Sequence, residues 1–150
     1  EMESITLMEL RERFCDYCHK NGYPCKIIDC NIRLGAIPSV ASYEYLRKYL
    51  ATHRTNFTAA FVSTDSGALG VMKAFQDCGV RIPGDLSIIG FNGNAEAALY
   101  FPPLTFVAIS RPEMAHHTCE LVDLCLRDGI FRLRQYLAYI PRGSVRLHRE

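Results

Sequence analysis

Several groups of residues in this chain have types and spacing that could do chemistry. Cys15-x-x-Cys18-His19, followed by Cys25 and Cys30, brings together thiols and an imidazole, the donors that a tetrahedral zinc ion takes. Structural zinc sites hold their C-x-x-C pairs on turns, whereas this pair falls inside a helical pattern. No strand leads into it either, as a thioredoxin-like redox pair requires. His116-His117, beside Glu113 and Glu120, forms a second set of donors. Adjacent helix residues point about 100° apart, so the two rings do not converge easily on one metal and a solvated helix face is expected. Gly67-x-x-Gly70 has the glycines of a phosphate cradle but opens a helix, where close packing is the expected use. Thr64-Asp65 and Asn92 put short hydrogen-bonding side chains just beyond two apolar runs. That arrangement suits binding a small molecule better than bond-breaking. No G-x-S-x-G elbow, P-loop, H-E-x-x-H or G-x-G-x-x-G after a strand is present. The expectation is therefore no enzyme, no cofactor and no metal.

The elements that must position these residues can be read from periodicity. Residues 57–62 are a short apolar run of β-forming types, as a buried parallel strand should be. Asp65 or Ser66 is expected to cap the helix that follows, in which Ala68, Val71 or Met72, Phe75 and Cys78 recur at helical spacing before Gly79. A second strand is expected over 86–90. This strand–helix–strand unit presents polar residues at one sheet edge, where open α/β sheets bind ligands. Upstream, Thr6-x-x-Glu9 reads as a capping box for a helix with Leu7, Leu10, Phe14 and Tyr17 or Cys18 on one face, ending at Asn21-Gly22. A strand over 24–29, a loop over 30–38 and a helix capped by Ser39 follow, with His53 in the link to the central unit. Downstream, a short helix over 94–100 precedes Pro102-Pro103, and 104–109 reads as a strand. A helix from Ser110-x-Pro112-Glu113 to Asp128 is expected to turn Met114, Thr118, Leu121 or Val122, and Cys125 inward. Residues 135–140 and 144–148 are further strand candidates. The fold class is α/β, a doubly wound parallel sheet with helices on both faces and right-handed crossovers.

Composition narrows the partners. The chain has 150 residues, of which 49% are hydrophobic, enough for one real core. Its net charge of +1 with interspersed signs gives no basic footprint for gripping nucleic acid. No apolar stretch reaches the ~20 residues of a membrane-spanning helix, and no signal peptide is visible at Glu1. The seven cysteines are expected to be free thiols, mostly at buried apolar positions, in a reducing cytoplasm.

At this point a resemblance becomes specific. It is carried by Thr64-Asp65-x-x-Ala68-x-Gly70, then Gly79-x-x-Ile82-Pro83-x-Asp85-x-Ser87-Ile88-Ile89-Gly90-Phe91-Asn92, then Pro102-Pro103-Leu104-Thr105. This order and spacing resembles the sensor domain of the LacI/GalR transcription regulators, whose usual wording is N-D-x-x-A-x-G, G-x-x-V-P-x-D-x-S-V-V-G-F-D and P-P-L-T-T. The resemblance implies a two-lobed periplasmic-binding-protein-like fold of type I, a small-molecule effector, a homodimer, and DNA contact through a headpiece absent from this sequence. It implies that residues 1–107 are the C-terminal lobe, 108–140 a segment of the N-terminal lobe, and 141–150 a return strand. By the same resemblance the effector-binding positions are Leu10, Ile37, Thr64, Asp65, Asn92 and Ile109. The paired face falls at Leu69, Met72, Lys73, Tyr100, Phe101 and Pro102.

Several of these positions depart from the family pattern. Leu10 stands where the family's R-x-x-G-F signature has Arg, and Arg13 where it has Gly. Thr64 replaces the Asn of N-D, and Asn92 and Gly93 replace two acidic residues. Ile109 aligns with a Gln, and Ile37 lies near an aromatic position. A pyranose needs bidentate donors and acceptors around its hydroxyls. Two readings therefore stand: a pocket tuned to a less polar or differently shaped effector, or one that has lost its ligand and keeps only dimer structure. Asp65 carries a further choice, helix cap or ligand contact, with the cap favoured. Two alternatives to the regulator also stand, a solute-binding protein of related fold and the same sensor fused to another output domain.

Overall fold

The computed structural model describes residues 5–33, 35–128 and 137–146. The chain divides into two compact units, Glu1–Asn31 and Ile32–Glu150. In the first, helix α1 spans Ile5–Lys20. Thr6 lies within that helix, so it is not the residue that caps it. The helix stops at Gly22, whose φ of 71° suits a residue without Cβ. The amide of Gly22 bonds to the His19 carbonyl at 3.2 Å and that of Tyr23 to Cys18 at 2.9 Å, the paired bonds of a Schellman ending. The half-buried side of α1 is Leu7, Leu10, Arg11 and Cys15, with Cys18 buried, while Phe14 and Tyr17 are exposed. The strand expected over 24–29 does not form: these residues have no regular secondary structure and join no ladder. Pro24 has no N–H to offer a ladder, and Ile27 is left exposed.

The second unit opens with α2 at Pro38–Thr52. Pro38, with its fixed φ, starts the helix, and Ile37 stands at the cap position without a side-chain bond, so Ser39 is not the cap. Then follow β1 at Ala59–Phe61, α3 at Asp65–Asp77, β2 at Ser87–Asn92, a 3-10 helix at Ala95–Leu99, β3 at Thr105–Ile109, α4 at Arg111–Asp128 and β4 at Leu137–Ile140. The sheet order is β1-β2-β3-β4. The first two pairings are parallel and β3–β4 is antiparallel. Among the described residues the sheet is therefore open and mixed, with helices, an α/β fold.

Helix α3 is the centre of the core. Ala68, Val71, Met72, Ala74 and Phe75 are buried, with Leu46 of α2 and with Leu86, Ile88, Ala97, Leu104 and Phe106 from the sheet side. Its glycines let α2 come close. A Cβ on Gly70 would stand 2.0 Å from the Ser39 carbonyl oxygen, and one on Gly67 would stand 2.8 Å from Thr64 Oγ1. Gly67-x-x-Gly70 is thus a packing device, as its place at the helix start suggests. At the far end Gly79 takes φ 78° and repeats the Schellman ending, with Val80 bonded to Phe75 at 3.0 Å.

Past Pro141 the expected return strand is absent among residues 141–146, and 147–150 lie outside the described residues, as do 135 and 136 of the strand that ends at Ile140. Ser144 nevertheless stitches the sheet. It is fully buried. Its carbonyl accepts from Ile88 N–H at 2.8 Å, its hydroxyl donates to the Ile88 carbonyl at 2.6 Å, and its Oγ accepts from Thr105 N–H at 2.7 Å. Ser144 thus bridges the start of β2 and the start of β3.

Helix α4 overturns another expectation. Met114, Thr118, Val122 and Cys125 are exposed, and only Leu121 of the expected inward face is half-buried. An amphipathic pattern specifies a face but not a partner, and among the described residues no element covers this one.

Candidate functional site

The carboxyl ends of β1, β2 and β3 bring Thr64-Asp65, Asn92-Gly93-Asn94 and Ile109-Ser110-Arg111 to one edge of the sheet. Thr64, rather than Asp65 or Ser66, caps α3: its Oγ1 accepts the Gly67 N–H at 3.1 Å. The hydroxyl proton of Thr64 is not used in that bond.

Asp65 turns inward instead and is only 3% exposed. Its Oδ2 accepts the Asn94 N–H at 2.5 Å, while Oδ1 has no hydrogen-bond partner and lies against Gly90, where a Cβ would be 2.7 Å away. Tyr100 donates its hydroxyl to the Asp65 carbonyl at 3.3 Å. Burial pushes the carboxyl above its ordinary value, opposed by the amides of Asn94 and Gly93 and by the charges of Arg111 and Arg142.

The carboxylate of Asp65 therefore nails down the loop that follows β2. That loop needs fixing, because Asn92 has φ 99° and Gly93 φ 78°. A positive φ at a residue with a side chain costs about 1–3 kcal/mol and persists only where the surroundings impose it. At Gly93 a Cβ would meet the Phe106 ring at 2.9 Å, which accounts for glycine there. The Asn92 side chain is left exposed at the sheet edge. Asn94 caps the 3-10 helix by accepting the Glu96 N–H at 3.4 Å.

The other expected positions fall as follows. Ile109 is half-buried at the end of β3, opposite Leu137. Ile37 is exposed ahead of α2, whose first turn meets Gly70 of α3. Leu10 is half-buried on α1, in the other unit. The structure thus gathers Thr64, Asp65, Asn92 and Ile109 at one edge. Reading the sequence alone missed the loop's dependence on Asp65, for which the Asn92-Gly93 pair was the available signal, since both types tolerate positive φ. It also missed Arg142, whose guanidinium lies 4.8 Å over the Phe106 ring and whose Nη1 is buried without a partner.

On the expected paired face, Met72 is a correction: it is 2% exposed and belongs to the core, because α3 buries a stripe wide enough to take both Val71 and Met72. Leu69 and Phe101 are exposed, and Lys73 is exposed and ion-paired with Asp77. Tyr100 and Pro102 are half-buried. Gln76 donates to the Phe101 carbonyl at 2.6 Å, tying this loop to α3. Leu99, which the periodicity did not single out, is 85% exposed.

The remaining donor groups are used otherwise. His116 Nε2 and His117 Nδ1 both reach Glu120, at 3.3 and 3.1 Å, and His117 followed by His116 holds that carboxyl below its usual range. Among the described residues no group of three His, Cys, Asp or Glu side chains is placed to hold a metal ion, and no helix is long and apolar enough to cross a membrane. None of the seven cysteines is joined in a disulfide, but only Cys18 is buried; Cys15 and Cys30 are half-buried and the others exposed. The expectation of mostly buried thiols does not hold, because α4 and the 24–29 segment carry several of them on uncovered faces.

An open α/β sheet whose parallel strands deliver capped, polar loops to one edge is the frame of a periplasmic-binding-protein-like domain. The periplasmic binding protein-like domain family matches residues 6–145, and the chain belongs to it. The HTH-type transcriptional regulator MalR of Clostridium butyricum is 38% identical over 96 residues, covering 63% of this chain and 28% of that protein. The HTH-type transcriptional regulator GalR of Streptococcus thermophilus is 29% identical over 108 residues, covering 72% and 32%. The crystal structure of the Escherichia coli transcriptional repressor ascG superposes with a TM-score of 0.75 at 27% identity, covering 97% of this chain and 52% of that one. Within the family, then, this is the effector-binding type of domain found in LacI/GalR regulators. The chain spans about a third of the length of the curated relatives it matches and about half of the solved one.

Proposed function

We propose that this chain senses a small-molecule effector and pairs with a second copy of itself, as part of a cytoplasmic transcription regulator that contacts DNA through a separate headpiece. Residues 1–107 would form the C-terminal lobe, 108–140 part of the N-terminal lobe and 141–150 the return. Effector binding would shift the equilibrium between lobe arrangements. One observation carries the reading: the loop after β2 is held by a buried carboxylate so that Asn92 stands exposed, in a costly backbone conformation, at the ligand-binding edge of the sheet. Strain maintained in this way is a mark of functional sites.

The effector proposed is not an ordinary pyranose. Ile37 and Ile109 are apolar, and the acceptor side of the Thr64 hydroxyl is engaged by the helix. That leaves the Thr64 proton and the Asn92 amide as the polar contacts. The test is a thermal-shift screen of sugars, nucleosides and organic acids against the chain and its Asn92→Gly variant. Glycine suits φ 99° and removes only the amide. We expect a hit that raises the melting temperature of the native chain, with the shift lost in the variant while its unliganded melting temperature is kept. An equal shift in both proteins would overturn the assignment of Asn92. No shift from any class would favour the reading in which the fold keeps pairing alone.

A further inference from the structure

The end of α1 carries a second arrangement that the sensor reading does not use. Cys15 and Cys18 are three residues apart on one face of α1. The Schellman ending at Gly22 turns the chain back along that face, so Cys25 Sγ comes within 3.7 Å of Cys15 Sγ. These sulfurs border an open cleft of about 510 Å³ with His19 and Tyr23 on its wall, wide enough to admit a small oxidant. A disulfide needs an S–S distance near 2.05 Å. Residues 24–29 join no ladder, so Cys25 is not held in a sheet. From these positions we infer that Cys15 and Cys25 are a modification site: a dithiol that a two-electron oxidant of the peroxide class converts to an intramolecular disulfide.

The step balances. The Cys15 thiolate attacks one peroxide oxygen, the O–O bond breaks, and Cys15 sulfenic acid and one water are formed. The Cys25 sulfur then displaces the sulfenic oxygen as a second water, and each thiol has given up its proton and one electron. The order follows from Cys25, whose thiol is pushed up to about 11 by partial desolvation and by the Cys15 sulfur beside it. It is thus the poorer first nucleophile and the natural resolving partner. Cys18, which is buried and interacts with Cys25, is the competing thiol. In a reducing cytoplasm such a bond is reversible, opened again by a thiol reductant.

The experiment treats the reduced chain with one equivalent of hydrogen peroxide and maps cysteines by non-reducing digestion and mass spectrometry. The expected product carries no intermolecular disulfide, is lighter by two hydrogens, and is linked only between Cys15 and Cys25. Cys18→Ser should give the same link. Cys25→Ser should halt at a sulfenic acid on Cys15, captured by dimedone. Amide exchange of the residues between the two cysteines should slow severalfold on oxidation and recover with dithiothreitol. A link through Cys18 or Cys30, intermolecular bonding alone, or full alkylation of Cys15 and Cys25 after peroxide would overturn the inference.

Discussion

Asp65 shows how one carboxylate can be both costly and necessary. Its oxygen organises a loop with two successive positive φ values, yet the group is 3% exposed and lacks a partner for Oδ1. Because its folded value is raised, the native state binds that proton more tightly than the unfolded chain. Stability from this group is therefore greatest at low pH and falls as pH rises from the ordinary carboxylate value of 3.8 through the raised one. Asp65→Asn keeps an oxygen to accept the Asn94 amide and removes the charge. We expect thermal midpoints of the two proteins, compared from about pH 4 to about pH 7, to diverge in favour of the variant as pH rises and then to run parallel. A constant difference would contradict the burial argument. Asp85 runs the other way: Arg81 holds its carboxyl well below the usual range, so its contribution is present above the ordinary value and lost on stronger acidification.

Among the elements, the contact between α2 and α3 rests on a single absent methyl group. A Cβ on Gly70 would meet backbone, the Ser39 carbonyl at 2.0 Å, not a side chain that could swing away. Gly70→Ala should cost about 3 kcal/mol or more, at or above the upper end of ordinary overpacking, read as a lower denaturation midpoint. Gly67→Ala, crowded by the Thr64 hydroxyl and the Ser42 side chain, should cost less. Equal stability of the native chain and Gly70→Ala would show that the helices can move apart freely. The unit from β1 to β2 was legible in the sequence because everything that defines it is local: an apolar run, a cap, a helical stripe and a glycine stop. The face of α4 was not legible, since Met114, Val122 and Cys125 are periodic whether or not anything covers them. Residues 24–29 had the composition of a strand, but a strand also needs a neighbour. The edge residues were found by motif, while the link from Asp65 to Asn94 spans 29 positions and leaves no periodic trace.

At the scale of the whole molecule, the proposed pairing with a second copy can be tested on one face. Phe101 is 87% exposed and Leu69 41% exposed, and Gln76 ties the Phe101 loop to the helix that carries Leu69. Large apolar side chains gathered in this way mark association surfaces more often than bare surface. Leu69→Lys and Phe101→Asp should each convert dimer to monomer in sedimentation with little change in melting temperature. Met72→Ala should instead cost about 2–5 kcal/mol of stability, as expected of a buried Met. An unchanged dimer in both surface variants would remove this face from the interface.

Ser144 has a consequence in time as well as space. Its three backbone bonds to β2 and β3 reach back 56 and 39 positions, so the start of the sheet is completed by a residue far downstream. Chains emerge from the ribosome at about 5–20 residues per second. β1, α3 and β2 can dock while synthesis continues, but the Ile88 amide and carbonyl and the Thr105 amide wait for Ser144 to arrive. Until then the nascent chain exposes three unpaired groups at the foot of two strands, which close only when this distant serine docks.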